Sequence, residues 1–174
     1  MTTFVIDGYE NRDVAILDVG GAFLLSKIAE FILIKVDGED LISLLDANSG
    51  YMKYVTYKHG KRVLYLKLRT ALYGIMQAAL LWYETYTIFL KINGFKLCKY
   101  YPCIATKMIN EKQCTIAWHV DDSKISHVDP GVVTNVIGMI EERLKEVTVS
   151  RGRTHTFWGM DIELRDDGMV FLGL

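Results

Sequence analysis

Residues 103–128 read CIATKMINEKQCTIAWHVDDSKISHV, and the close reversals in that stretch decide the fold class. Residues 103–108 and 114–120 are apolar runs of strand length on either side of Ile109-Asn110-Glu111-Lys112, a hairpin turn signal. Residues 124–128 supply a further short strand directly after Asp121-Asp122. Strands joined this tightly pair antiparallel, because a parallel crossover needs about a dozen residues or more. A doubly wound parallel sheet therefore fits badly.

Working outward, residues 14–17 form a short apolar strand that ends at Asp18 and runs into Gly20-Gly21. A brief helix is expected over 22–30, a strand over 31–36, irregular chain to about Tyr51, and a strand over 63–68. From 75 to 92 the spacing turns helical, with Ala78, Trp82, Tyr86 and Phe89 or Leu90 on one side and Asn93-Gly94 as a stop. Asp129-Pro130 opens another helix, in which Val132, Val133, Val136, Ile137, Ile140 and Leu144 make one apolar stripe. Trp158, Met160, Ile162 and Leu164 alternate with polar residues, and Asp166-Asp167-Gly168 turns that strand back on 169–172. This order predicts an α+β fold: an antiparallel or mixed sheet with helices packed on one face, as a single domain over 1–174.

Composition supports a globular chain: 174 residues, 51% apolar and 24% charged. No run reaches the roughly 18 apolar residues of a membrane span. The first residues, Met1-Thr2-Thr3-Phe4, lack the basic and apolar regions of a secretory leader. Three cysteines, an odd number, predict free thiols in a reducing compartment and an unsecreted, intracellular protein. The net charge of −1 hides an uneven distribution. No acidic residue lies between Asp46 and Glu84, a window holding Lys53, Lys58, Lys61, Arg62, Lys67 and Arg69 with Tyr51, Tyr54, Tyr57 and Tyr65 interleaved. Such a strip suits a nucleic-acid backbone and its bases; a solvated hairpin kept soluble by lysines is the plainer reading.

The candidate chemistry lies in the carboxylates. Asp18 sits where a buried strand runs out, and Asp121-Asp122 sits at a hairpin tip. Adjacent carboxylates repel unless a cation holds them together, and their hard oxygens suit Mg²⁺. Two such ions can stabilise both the attacking and the leaving oxygen of a phosphoryl transfer. Against this, aspartate is common at turns for its own sake, which is the preferred reading of Asp166-Asp167. A soft-ligand set, Cys98, Cys103, Cys114 and His119, raises a zinc module as an alternative, but it lacks the close cysteine pairs of compact zinc motifs.

Four segments in order bear a family resemblance. Asp18-Val19-Gly20-Gly21-Ala22-Phe23-Leu24 resembles the first catalytic motif of copia-type retrotransposon reverse transcriptases, which are RNA-directed DNA polymerases. Leu72-Tyr73-Gly74-Ile75-Met76-Gln77-Ala78-Ala79, followed by Trp82-Tyr83, is similar to the second. His119-Val120-Asp121-Asp122 is similar to the third, usually Tyr-x-Asp-Asp, and Phe157-Trp158-Gly159-Met160-Asp161-Ile162 to a later, primer-proximal strand. The resemblance implies a polymerase palm. Asp18, Asp121 and Asp122 would be catalytic and hold two Mg²⁺ (or Mn²⁺), with the Val19 carbonyl as a further metal contact. Phe23 would exclude a 2′-hydroxyl, Tyr73 and Gly74 would line the nucleotide pocket with Gln77 behind them, and Trp158 and Gly159 would lie near the primer. The implied partners are an RNA or DNA primer–template, deoxynucleotides and the rest of a polyprotein, and the implied location is cytoplasm, virus-like particle or nucleus.

The departures are His119 for tyrosine, Ala79 for proline, Met76 for lysine and Trp158 for leucine. The family's upstream fingers, its thumb and its ribonuclease H domain do not fit within these residues, so the resemblance implies a fragment or truncated copy. A non-catalytic remnant with the same fold, and another palm-like enzyme such as a nucleotide cyclase, are the remaining alternatives.

Overall fold

The protein is described by a computed structural model covering residues 2–173. Helix α1 (Thr2–Tyr9) precedes strand β1 (Asp13–Val19), and a 3-10 turn, Ala22–Leu25, leads to β2 (Leu33–Asp37). Helix α2 (Gly38–Ala47), a second 3-10 segment (Ser49–Tyr54), β3 (Thr56–Lys58), β4 (Lys61–Lys67) and helix α3 (Ala78–Ile92) follow. The next four strands are β5 (Lys96–Leu97), β6 (Ile104–Ile109), β7 (Lys112–His119) and β8 (Asp122–His127). Helix α4 (Pro130–Leu144) and strands β9 (Val147–Arg151), β10 (Thr154–Phe157), β11 (Met160–Leu164) and β12 (Val170–Gly173) complete the chain.

A six-stranded sheet in the order β5-β6-β7-β8-β1-β9 forms the centre, with every pairing antiparallel. Side chains alternate across it with a period of two. Ala15, Leu17 and Val19 of β1 enter one core with Trp82, Tyr86 and Leu90 of α3 and Val133, Val136 and Ile140 of α4. Val14 and Ile16 face the other way, into a second core with Phe4, Phe157, Ile162 and Leu164. The fold is α+β, with both long helices on one face. The opposite face is closed by α1 and the small sheet β10-β11-β12.

Local signals account for the long elements. Asp129 accepts the Gly131 amide at 2.8 Å, Pro130 opens α4, and all six residues of its predicted stripe are buried. Each such side chain taken out of water contributes about 1.5–3 kcal/mol. Helix α3 stops where Gly94 adopts φ +83°, letting the Phe95 amide reach back to the Leu90 carbonyl at 3.0 Å.

Two expectations fail, and one helix forms where the sequence carries no pattern. The helix over 22–30 shrinks to the single turn Ala22–Leu25, because tertiary pairing takes the chain next: the Ser26 carbonyl accepts the Ala71 amide at 2.8 Å and Lys27 bridges to Thr70. The irregular stretch before Tyr51 contains α2, whose Leu41 and Leu45 pack on Leu64. Helix α1 was not foreseen. It seats Asp7 beneath the central sheet, where it pairs with the fully buried ammonium of Lys124 on β8. Arg12 lies 4.0 Å from Asp7 and donates to Thr115 at 3.0 Å, so the charges meet inside the fold.

Candidate active site

The carboxylates meet at one end of the central sheet because of register. Pairing of β1 with β8 sets Asp18 directly opposite Asp122, two residues beyond the Ile16–Lys124 pair. Like charges directly opposite one another on adjoining strands are destabilising. Asp121 occupies the two-residue turn Val120-Asp121 between β7 and β8, and its carbonyl accepts the Val19 amide at 3.1 Å. Among the described residues, no lysine, arginine or histidine pairs with Asp18, Asp121 or Asp122. Burial, then the charges of Asp121 and Asp18, push the Asp122 carboxyl above its usual range, while His119 pulls the other way.

The turn itself is strained. Val120 adopts φ +53°, which for a β-branched residue costs on the order of 1–3 kcal/mol. The Trp82 indole N–H from α3 donates to the Val120 carbonyl and pins the turn from the helical side. Beneath it, Ser123 donates to the Tyr86 hydroxyl at 3.1 Å, and Trp82 and Tyr86 stack at 5.3 Å. Trp82 and Tyr86 are thus buried supports of the hairpin rather than exposed contacts.

Four of the other candidates gather round this end. Phe23 is buried, and the Tyr73 ring meets it edge-on at 4.3 Å. The Tyr73 hydroxyl donates to Asp121 Oδ2 at 2.7 Å. That bond, then burial and the negative charges of Asp121 and Asp18, raise the Tyr73 phenol to about 12. Trp158, at φ +56° in the two-residue turn with Gly159 between β10 and β11, meets the His119 ring at 5.4 Å. The small sheet therefore reaches the carboxylate end through an aromatic pair that no local signal announces.

Gly74, at φ +92°, has open space where a Cβ would stand. Gln77 immediately precedes α3 and donates to Glu30 at 2.9 Å, a partner the sequence reading did not single out.

The basic residues are divided between faces. On the sheet β2-β4-β3, pairing and alternation set Lys58, Lys61, Tyr65 and Lys67 on one face together with Lys35. Arg62 and Tyr57 lie on the other face. Lys53 belongs to the 3-10 segment Ser49–Tyr54, and Arg69 lies beyond the end of β4. Lys35 escaped notice because it falls outside the acid-free window, and Asp37 beside it takes its charge. Lys35, Lys58, His59, Lys61 and Val63 line a cavity of about 300 Å³. A larger groove of about 610 Å³ runs between α3 and α4 past Ile88, Phe89, Met139 and Arg143; none of the carboxylates lines it.

As hard oxygen donors with no cationic partner, Asp18, Asp121 and Asp122 fit a divalent ion in kind. Among the described residues, no three His, Cys, Asp or Glu side chains converge on one point, and the Tyr73 bond turns one oxygen of Asp121 to another use. The soft set fares worse. Cys98, Cys103, Cys114 and His119 do not converge either, and burial pushes the Cys114 thiol up to about 11, away from the thiolate that zinc needs. No helix among the described residues is long and apolar enough to cross a membrane.

Neither a family model nor a curated protein sequence matches the chain. Among solved structures, the chain is similar to apo telomerase from Candida tropicalis, at 13% identity and a TM-score of 0.54, covering 98% of this chain and 35% of that one. A second apo telomerase structure from that organism, truncated from the C-terminal domain, matches at 10% identity and a TM-score of 0.50, covering 98% and 38%. At these identities the likeness is one of fold, and this chain spans little more than a third of the solved chains.

Proposed function

We propose that this chain is the palm part of a reverse-transcriptase-like polymerase of the copia type, in which Asp18, Asp121 and Asp122 hold Mg²⁺ or Mn²⁺. The observation that carries the reading is the cross-strand pair Asp18–Asp122 with Asp121 beside it, three carboxylates that no basic side chain among the described residues neutralises. The fold shared with telomerase, a reverse-transcriptase-related polymerase, supports it. So does the order of the four motifs along the chain.

In this reading the strained Val120-Asp121 turn, pinned by Trp82, aims the carboxylates before substrate arrives. Bound divalent ions would lower the barrier for attack of a primer 3′-hydroxyl on the α-phosphate of a deoxynucleotide. Phe23 fills the space where a 2′-hydroxyl would lie, and Tyr73 and Gly74 line the nucleotide side with Gln77 behind. Trp158 and Gly159 border the primer. Lys58, Lys61 and Lys67 offer phosphate contacts on one face of the sheet β2-β4-β3, and Tyr65 offers a stacking ring. Fingers, thumb and ribonuclease H regions of a polyprotein would supply the rest of the nucleic-acid cleft.

A second reading, an inactive remnant with the same fold, draws on the absence of a converged ligand set. Calorimetric titration with Mg²⁺ and Mn²⁺, in the presence of a primer–template and deoxynucleotide, separates the two. Binding by the chain that disappears in Asp18→Asn is the expected result. Equal binding in both proteins, or none in either, would leave the remnant.

A further inference from the structure

The Tyr73 hydroxyl occupies Asp121 Oδ2, an oxygen that a cation at the carboxylate end would take. The main-chain carbonyl of Asp121 is bonded as well, to the Val19 amide, so the backbone holds the residue in place while its side chain answers to Tyr73. Tyr73 is carried on a short exposed stretch, residues 72–74, between Ala71, which is buried, and Ile75, which packs on the main core ahead of the Gln77–Glu30 bond. Ala71 before it is buried and bonded to Ser26, and Ala78 after it is buried at the start of α3. Between these anchors Leu72, Tyr73 and Met76 are exposed, Met76 at 96%. Gly74 sits among them at φ +92°, and beyond its chain neighbours nothing lies within 4 Å of where its Cβ would be. Residues 72–74, exposed, fixed at both ends and turning on a glycine, shift at low cost. The edge-on contact with Phe23 is the other restraint on the ring.

We propose that Tyr73 is a latch on the metal site: its hydroxyl holds Asp121 away from a divalent cation, and residues 72–74 must swing the phenol off before Asp121 can join the ligand set. The latch rests on the reading of Asp121 as a metal ligand. It reconciles three unneutralised carboxylates with the lack of a converged ligand group, because one of the three is engaged elsewhere in the closed state. Tyr73 is in this sense a positioning residue, acting on metal through Asp121. Binding of the cation and the hydrogen bond compete for one oxygen, so removing the hydroxyl strengthens binding by the free energy of the lost bond.

The test is calorimetric titration of Mn²⁺ into the full chain, Tyr73→Phe, Asp121→Asn and the double variant. Phenylalanine keeps the ring against Phe23, so the fold is preserved. Tyr73→Phe should bind Mn²⁺ about 10-fold more tightly, equivalent to about 1.4 kcal/mol, the low end for a hydrogen bond to a charged group. That gain should disappear in the Asp121→Asn background, since the coupling runs through one carboxylate. Equal affinity in the chain and Tyr73→Phe, with binding lost in Asp121→Asn, would overturn the latch and leave the metal site standing. Weaker binding by Tyr73→Phe would overturn it too, making the hydroxyl a support of the site. No binding by any of the four proteins would remove both the latch and the metal reading.

Discussion

Two groups of charge meet strand β8, one at Lys124 and one at Asp122, and are treated in opposite ways. Beneath the middle of the sheet, Asp7, Lys124 and Arg12 come together fully or nearly fully buried, and the ammonium of Lys124 also lies 4.3 Å from the Phe4 ring. Two residues further along β1 and back along β8, Asp18 and Asp122 face each other with no basic partner among the described residues. Burying an unpaired ion costs several kcal/mol, and the two inner cations are matched by Asp7 and by Glu10, whose carboxylate lies 2.7 Å from Arg12. The outer group lies partly in solvent, where repulsion is tolerable and a mobile cation can reach it. The chain neutralises with its own side chains the charges it buries and leaves unneutralised those at the rim.

Removing one inner partner should have the largest effect. Asp7→Asn leaves Lys124 as a buried cation without a counter-charge, while Arg12 keeps Glu10, and should cost about 3–5 kcal/mol by urea unfolding. The paired replacement Asp7→Leu with Lys124→Met should return most of that stability. If the single variant were as stable as the parent, the contrast between the two groups would be lost.

At the rim the same kind of change should act with the opposite sign. Asp122→Asn removes a carboxyl whose ionisation is disfavoured by burial and by Asp121 and Asp18, and should stabilise the metal-free protein by roughly 0.5–1 kcal/mol near neutral pH. The raised folded-state value sets the direction of the pH dependence. Ionisation of Asp122 costs the folded state more than the unfolded one, so the penalty grows as pH rises from the ordinary value of 3.8 through the folded-state value. The advantage of Asn should therefore vanish below pH 3.8, when Asp122 is protonated in both states. Unfolding curves across that range that showed the variant less stable throughout would contradict the reading of an uncompensated pair.

The smallest effect concerns His155, buried beside the inner group. Its value is lowered by burial above all and by Lys124, against the Gly152 carbonyl at 2.8 Å and the charges of Asp13 and Asp7. A lowered histidine means the unfolded state takes up the proton first. Its contribution is thus present above pH 6.5 and lost as pH falls below it toward the folded-state value. His155→Gln should flatten the stability slope on that acid side, and an unchanged slope would assign the pH dependence to other groups.

Where a local rule governed, the residues were readable in advance. Asp129-Pro130 and the stripe from Val132 to Leu144 announce α4, and Asn110-Glu111, both at positive φ, form the expected turn between β6 and β7. Helix α2 carried a usable signal that went unread, Leu41 and Leu45 one turn apart behind acidic Glu39 and Asp40. Helix α1 carried almost none: Phe4 and Asp7 are buried, but Asp7 reads as a surface residue until its partner is known. The carboxylates were legible as a set, whereas the Tyr73 bond, the His119–Trp158 contact and the division of the lysines between faces were not.

By itself, the sequence determined the strand and helix periods, the sharp turns and the order of the candidate residues, because these follow from backbone preferences and from side chains within a few positions of each other. Only the tertiary structure decided that Asp18 stands opposite Asp122, that Lys124 finds Asp7 117 residues away, and that Trp158 reaches His119. A register slip of one residue would turn every side chain of β1 to the wrong face. Alignment of β1 on β8 is set jointly by two cores, one on each face of the sheet, whose members come from both ends of the chain.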